Sequence, residues 1–161
     1  MKQINLSDRL KALANYIDEN ASVADIGTDH GFLPVHLVQN KSVKRVIASD
    51  ISAASLAAAR RTASEANVTD LITFVVAPGL EGIAHSDVDT VVIAGMGGET
   101  ILGILRDATW TKREKIKLIL QPQSKIDLLS RFLYDSGYNI KETKIIYDRG
   151  KQYTIMLCFN E

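Results

Sequence analysis

The chain holds one cysteine, Cys158, so neither a disulfide nor a cysteine-rich metal site can organise it. Cys158 sits in an apolar-alternating stretch and is expected to be a buried core thiol. The opening MKQINLSDRL lacks the apolar run of a signal peptide, and no window approaches the roughly 18 apolar residues of a membrane span. A cytoplasmic location without membrane partners is therefore expected. Net charge is also lacking: it is +0 with pI ≈ 6.8, so no global field draws the chain onto nucleic acid. Any such binding must rest on a local patch, and Lys112, Arg113, Lys115 and Lys117 form the candidate. His36 and His85 gather no further ligands, and His30 next to Asp29 is too little for a metal. No metal is expected. Repeats, linkers and low-complexity segments are missing as well. With 161 residues, 46% hydrophobic and 24% charged, the sequence suits one globular domain spanning residues 1 to 161.

What is present is a regular alternation. Leu6, Leu10, Leu13 and Ile17 recur at helical spacing, with Ser7 or Asn5 placed to cap the first turn. Then follow a strand over 23 to 26, a helix over about 33 to 39 and a strand over 44 to 49. Ser52 caps an alanine-rich helix over 53 to 66, and residues 71 to 77 read as a strand. The second half continues with a strand over 89 to 95, a helix over about 98 to 106 and a strand over 116 to 121. Ser124 with Asp127 reads as a capping box for a helix through Phe132 and Leu133 that Gly137 can end. Residues 139 to 148 and 151 to 159 are strand-like and separated only by Arg149-Gly150, which suits a hairpin.

Five strands separated by helices require a parallel sheet with right-handed crossovers, and the hairpin adds an antiparallel pair at its end. The expected fold is α/β, a doubly wound, seven-stranded, mostly parallel sheet. Such a sheet resembles the Rossmann-like class I methyltransferase architecture more than the dinucleotide fold with its six parallel strands.

Ligands of open α/β sheets bind beyond the carboxyl ends of the strands, so the residues following each strand carry the chemistry. After the first strand comes Asp25-Ile26-Gly27-Thr28-Asp29-His30-Gly31. It fits an acidic-x-Gly-x-Gly-x-Gly turn at every fixed position but the middle glycine, which is Asp29. The nicotinamide fingerprint G-x-G-x-x-G is not met, since Asp29 and Phe32 occupy its later glycine positions. A carboxylate there would repel a pyrophosphate yet suits a cationic sulfonium. Asp50, followed by Ile51, stands after the second strand, where an acid can accept both ribose hydroxyls of an adenosine cofactor. Pro78-Gly79-Leu80 follow the third strand and could line an adenine. Gly95-Met96-Gly97-Gly98 follow the fourth, where glycines permit close approach of a second planar group. No Gly-Lys-Ser/Thr follows, which excludes a phosphate loop of the NTPase kind, and no G-x-S-x-G elbow supports a serine triad. Gln121-Pro122-Gln123-Ser124 can present amides at the same edge.

These motifs resemble the bacterial tRNA (adenine-22-N1)-methyltransferases. The resemblance rests on Leu6-Ser7-x-Arg9-Leu10, on Asp25 to Pro34 read as Asp-Ile-Gly-Thr-Asp-His-Gly-Phe-Leu-Pro, on Gly79-Leu80, on Ile93-Ala94-Gly95-Met96-Gly97-Gly98 and on Leu120-Gln121-Pro122. It implies S-adenosyl-L-methionine held by Asp25, Gly27, Thr28, Asp29, His30, Gly31, Asp50, Ile51, Pro78, Gly79, Leu80 and Gly95. It also implies a tRNA adenine presented to Asp29, Gly95, Met96 and Gly97, with Asp29 the candidate catalytic carboxylate. The chain departs from the family pattern at Pro78, usually Asp, and at Gln123, commonly Asn. The family's helical, coiled-coil-like C-terminal domain is expected to be absent, and tRNA binding correspondingly weak. Two other readings compete: a cofactor-binding module without catalysis, and a small-molecule methyltransferase on the same fold.

Overall fold

The helical spacing at the start of the chain becomes α1 (Asp8–Asn15), capped by the Ser7 hydroxyl, which accepts from Leu10 N. This computed structural model describes residues 2 to 113 and 115 to 160; Met1, Glu114 and Glu161 lie outside the described residues. The alternation then runs β1 (Ser22–Ile26), α2 (Phe32–Asn40), β2 (Arg45–Asp50), α3 (Ala53–Glu65), β3 (Ile72–Val76), β4 (Thr90–Met96), α4 (Gly98–Asp107), β5 (Lys117–Pro122), α5 (Ile126–Asp135), β6 (Ile140–Asp148) and β7 (Lys151–Phe159).

Among the described residues the strands form one seven-stranded sheet in the order β3-β2-β1-β4-β5-β7-β6. β1 to β5 pair in parallel, while β7 pairs antiparallel with both β5 and β6. The chain moves outward from β1 to β3 and then returns to β4 beside β1, so the switch point opens at the carboxyl ends of β1 and β4. Helices cover both faces, and every residue of β1 is buried. Strand alternation divides the core. Val91 and Ile93 of β4 join Ile101 and Leu105 of α4 and Leu129 and Leu133 of α5. Val92 faces the other way, with Leu13 of α1 and Leu33 and Leu37 of α2. Cys158 is buried on the α4 and α5 side, where burial pushes its thiol up to about 12.

Two expectations need correction. Helices separate the first five strands except between β3 and β4, where only a short 3-10 turn, His85–Asp87, interrupts the loop. Pro78, Gly79 and Gly82 break this segment, and Leu80 and Ile83 are buried to anchor it. The second concerns Ser124 and Asp127, which do not form a capping box. Lys125, left-handed at φ 54°, precedes α5, and no side chain caps the helix. The Ser124 carbonyl instead accepts from Gly98 N at 2.8 Å, tying the entry of α5 to the start of α4.

Candidate active site

Between β1 and α2 the backbone turns left-handed at alternate residues, with φ 73° at Gly27, 56° at Asp29 and 73° at Gly31. A side chain in that conformation costs roughly 1–2 kcal/mol for most residues, and Asp is among the few that visit it. Asp29 can therefore stand where glycine is usual without rebuilding the turn. A Cβ on Gly27 would collide with Met96 Cε, and one on Gly31 would lie 2.8 Å from Ala59 Cβ in α3. The first glycine thus admits the Met96 side chain over the loop, and the second lets α2 and α3 close.

The loop is tied to the end of β2. Gly27 N and Thr28 N both donate to the Ser49 carbonyl, at 2.9 and 3.0 Å. Asp29 N donates to Asp50 Oδ2 at 3.0 Å, and Ser52 N donates to Asp50 Oδ1 at 2.9 Å. Asp50 is thus a strut between the loop and the start of α3, each oxygen keeping a second lone pair for a ligand. Ile51 beside it is 72% exposed. Below the loop, Ser49 Oγ is buried without a hydrogen-bond partner, a polar group left unsatisfied at the strand end.

Asp25 is buried at the foot of the loop, and burial pushes its carboxyl up to about 7. The Thr28 hydroxyl, donating to Asp25 Oδ2 at 2.9 Å, and the Arg9 guanidinium oppose that rise, while the charge of Asp50 adds to it. Asp29 behaves differently. Its side chain is 70% exposed, with His30 Nε2 at 3.9 Å from Oδ2. The His30 ring stacks on Phe32, centroids 5.5 Å apart.

At the end of β4, register with β5 slips between Ala94 and Met96, making Gly95, at φ 79°, the extra residue of a β-bulge. Its N–H turns to a side chain, donating to Gln121 Oε1 at 3.2 Å. Arg9 Nη1 donates to the same buried oxygen at 3.0 Å, and Gln121 Nε2 donates to the Pro122 carbonyl at 3.2 Å. Arg9 is further anchored by its backbone N–H on Asp148 Oδ2 at 3.2 Å. The Gly95 turn is thereby linked in series through Gln121 and Arg9 to Asp148 of the closing hairpin.

A cleft of about 500 Å³ opens at this edge. Asp25, Gly27, Thr28, Asp29 and His30 line one side, and Asp148, Arg149, Lys151 and Tyr153 the other, with Arg9 and Ala94 also on its wall. Of the expected cofactor residues, Asp50 joins through its bond to Asp29 N, and Gly31 lies behind the loop against α3. Pro78, Gly79 and Leu80 border a separate cleft of about 440 Å³ with Ile104 and Trp110, and Leu80 is itself core. Gly95, Met96 and Gly97 are half-buried and are not among the residues lining the first cleft, which reaches their neighbour Ala94, and Met96 covers Gly27. Sequence reasoning gave no role to the hairpin residues and named Arg9 only within a motif. The hairpin could have been found by noting that the turn before an antiparallel strand falls at the edge where parallel strands end.

Among the described residues no group of three or more His, Cys, Asp or Glu comes together to hold a metal ion, and no helix is long and apolar enough to cross a membrane.

A family model for a methyltransferase domain matches residues 6–156. The chain is 33% identical over 158 residues to the tRNA (adenine(22)-N(1))-methyltransferase of Bacillus subtilis, covering 98% of this chain and 66% of that one. Its fold is similar to the crystal structure of the B. subtilis m1A22 tRNA methyltransferase TrmK, with TM-score 0.91, 32% identity and coverage of 99% and 68%. A Streptococcus pneumoniae structure in complex with S-adenosyl-L-methionine matches with TM-score 0.90 at 30% identity, covering 96% of this chain and 73% of that one. The chain spans about two thirds of the length of the curated relative, 66%.

Proposed function

The chain belongs to the methyltransferase-domain family, among its tRNA (adenine-22-N1)-methyltransferases, and on that premise we propose that it transfers a methyl group from S-adenosyl-L-methionine to N1 of an adenine in tRNA. The observation that carries this reading is one cleft in which an acidic, left-handed loop faces the walls built by Arg9, Ala94 and the hairpin. The residues present fit the cofactor. Carboxylates at Asp25, Asp29 and Asp50 favour a cation, and each Asp50 oxygen keeps a second lone pair for a ribose hydroxyl.

S-adenosyl-L-methionine, when bound, supplies a methyl group activated on a sulfonium. Adenine N1 brings its own lone pair, so the protein's task is in-line positioning rather than strong base catalysis. The base is placed beside Ala94 and the bulged Gly95-Met96-Gly97 turn, which the Arg9–Gln121 link holds in place. The adenine ring becomes cationic on methylation. Asp29, exposed in the cleft, stabilises that charge or accepts a proton from N6. N1 is ordinarily paired or stacked, so the base must be extruded from the RNA to reach the cleft.

The test is methyl transfer from labelled cofactor to unmodified tRNA, alongside calorimetric cofactor binding. Transfer dependent on tRNA supports the reading. Tight cofactor binding with no transfer would leave a cofactor-binding module, and transfer to small acceptors alone would leave a small-molecule methyltransferase.

A further inference from the structure

An RNA substrate needs cations at the site, and a chain of net charge +0 must supply them locally. The run Lys112, Arg113, Lys115 and Lys117 does not serve. It lies at the amino end of β5, the edge opposite the cleft. Three of its four cations are also engaged: Lys117 Nζ donates to the Tyr16 carbonyl at 2.9 Å and to Asp18 at 2.7 Å. Arg113 bonds the His85 ring at 2.8 Å, and Lys112 lies over Tyr138.

The closing hairpin offers the alternative. Its last register pair with β5 is Leu120↔Met156, and residues 151 to 155 run on toward the turn, roughly 16 Å of ribbon at ~3.3 Å per residue. That overhang is the cleft wall opposite the acidic loop. Arg149 and Lys151 both line the cleft and are exposed, and among the described residues no hydrogen bond or ion pair holds either side chain. The neighbouring acid is turned toward α1, where Asp148 Oδ2 accepts from Arg9 N, and makes no ion pair with either cation.

Arg149 also breaks a local preference. It sits at φ 53° ahead of Gly150 at φ 78°, the two left-handed positions of a hairpin turn where Asn-Gly or Asp-Gly is favoured. Arg149 therefore costs backbone stability in this turn while placing a cation at the mouth of the cleft. The two walls differ in charge: the loop presents exposed Asp29, whereas on the hairpin the cations Arg149 and Lys151 outnumber the single acid Asp148.

Resting on the methyltransferase reading above, we propose that Arg149 and Lys151 form a phosphate-binding rim that grips the RNA backbone beside the extruded adenine, turning the base edge toward the acidic loop. The full chain carrying Arg149→Asn and Lys151→Gln tests it, because Asn suits the left-handed turn and both sites are exposed. Labelled unmodified tRNA is titrated from about 50 to 200 mM salt; each phosphate no longer neutralised lowers the log-log slope by roughly 0.7–0.9. The expected result is a slope reduced by about 1.5, tRNA affinity and KM weakened about tenfold, and kcat and S-adenosylhomocysteine affinity within about twofold of the parent. Lys112→Gln with Arg113→Gln leaves the slope unchanged. An unaltered slope and KM in the hairpin variant overturn the proposal. So does weakened cofactor affinity at constant tRNA slope, which would assign the two cations to the cofactor carboxylate. A parent that binds tRNA through these residues yet transfers no methyl group contradicts the enzymatic reading while the rim stands.

Discussion

Asp29 combines two separable properties, a left-handed backbone and an exposed negative charge. Asn tolerates the same backbone, so Asp29→Asn removes the charge alone. Its melting temperature should match the parent's, cofactor affinity should stay within a few fold, and kcat should fall roughly 10²-fold, as for the removal of an acid-base or charge-stabilising group. Full-rate methylation with normal cofactor binding would leave Asp29 a turn residue. Asp25 makes a pH-dependent prediction. Its folded pKa, pushed up to about 7 by burial, exceeds the ordinary 3.8, so the folded state holds more proton between those values. Its favourable contribution is full below about pH 4 and declines as pH rises toward 7. Asp25→Asn should therefore gain melting temperature over the parent at about pH 8 and not at about pH 4, as thermal scans would show. Conversely, a cationic cofactor favours ionised Asp25, so cofactor affinity should strengthen from about pH 6 to 8 in the parent and flatten in the variant.

At the scale of elements, the site depends on α1 and the hairpin as much as on the parallel strands. Arg9→Ala frees the Gln121 amide that anchors Gly95 N, and the expected outcome is a kcat about tenfold lower with cofactor affinity unchanged. Parallel loss of cofactor binding would place Arg9 at the cofactor instead. Gly31→Ala sets a Cβ 2.8 Å from Ala59 in a left-handed backbone, costing roughly 2–4 kcal/mol and lowering the melting temperature by about 5–10 °C. The elements are legible in the sequence because their signals are local: Ser7 and Ser52 cap their helices, and Arg149-Gly150 closes the hairpin. Ser124 misleads because its carbonyl answers to Gly98, 26 residues away. The acidic loop is legible through its glycines, whereas Arg9 and Gln121 meet across 112 residues and leave no periodic trace.

For the whole molecule, zero net charge is compatible with RNA if the cations act locally, as proposed for Arg149 and Lys151 at the cleft. Composition reports the sum and not that arrangement, which is why Lys112 to Lys117 stand out in the sequence and the hairpin does not. Cofactor binding should stabilise the entire fold, since the loop, β2 and α3 share Asp50: at a hundredfold excess over Kd the gain is ~2.7 kcal/mol, readable as a higher melting temperature. Methyl transfer to adenine N1 is tested by incubating the full chain with S-adenosyl-L-methionine and an unmodified tRNA transcript, digesting the RNA and resolving its methylated nucleosides by mass spectrometry. The expected product is N1-methyladenosine, diminished in the Asp29→Asn variant and, at sub-saturating tRNA, in the hairpin variant. Saturated cofactor binding with no N1-methyladenosine, or a methyl group on another base, would contradict it.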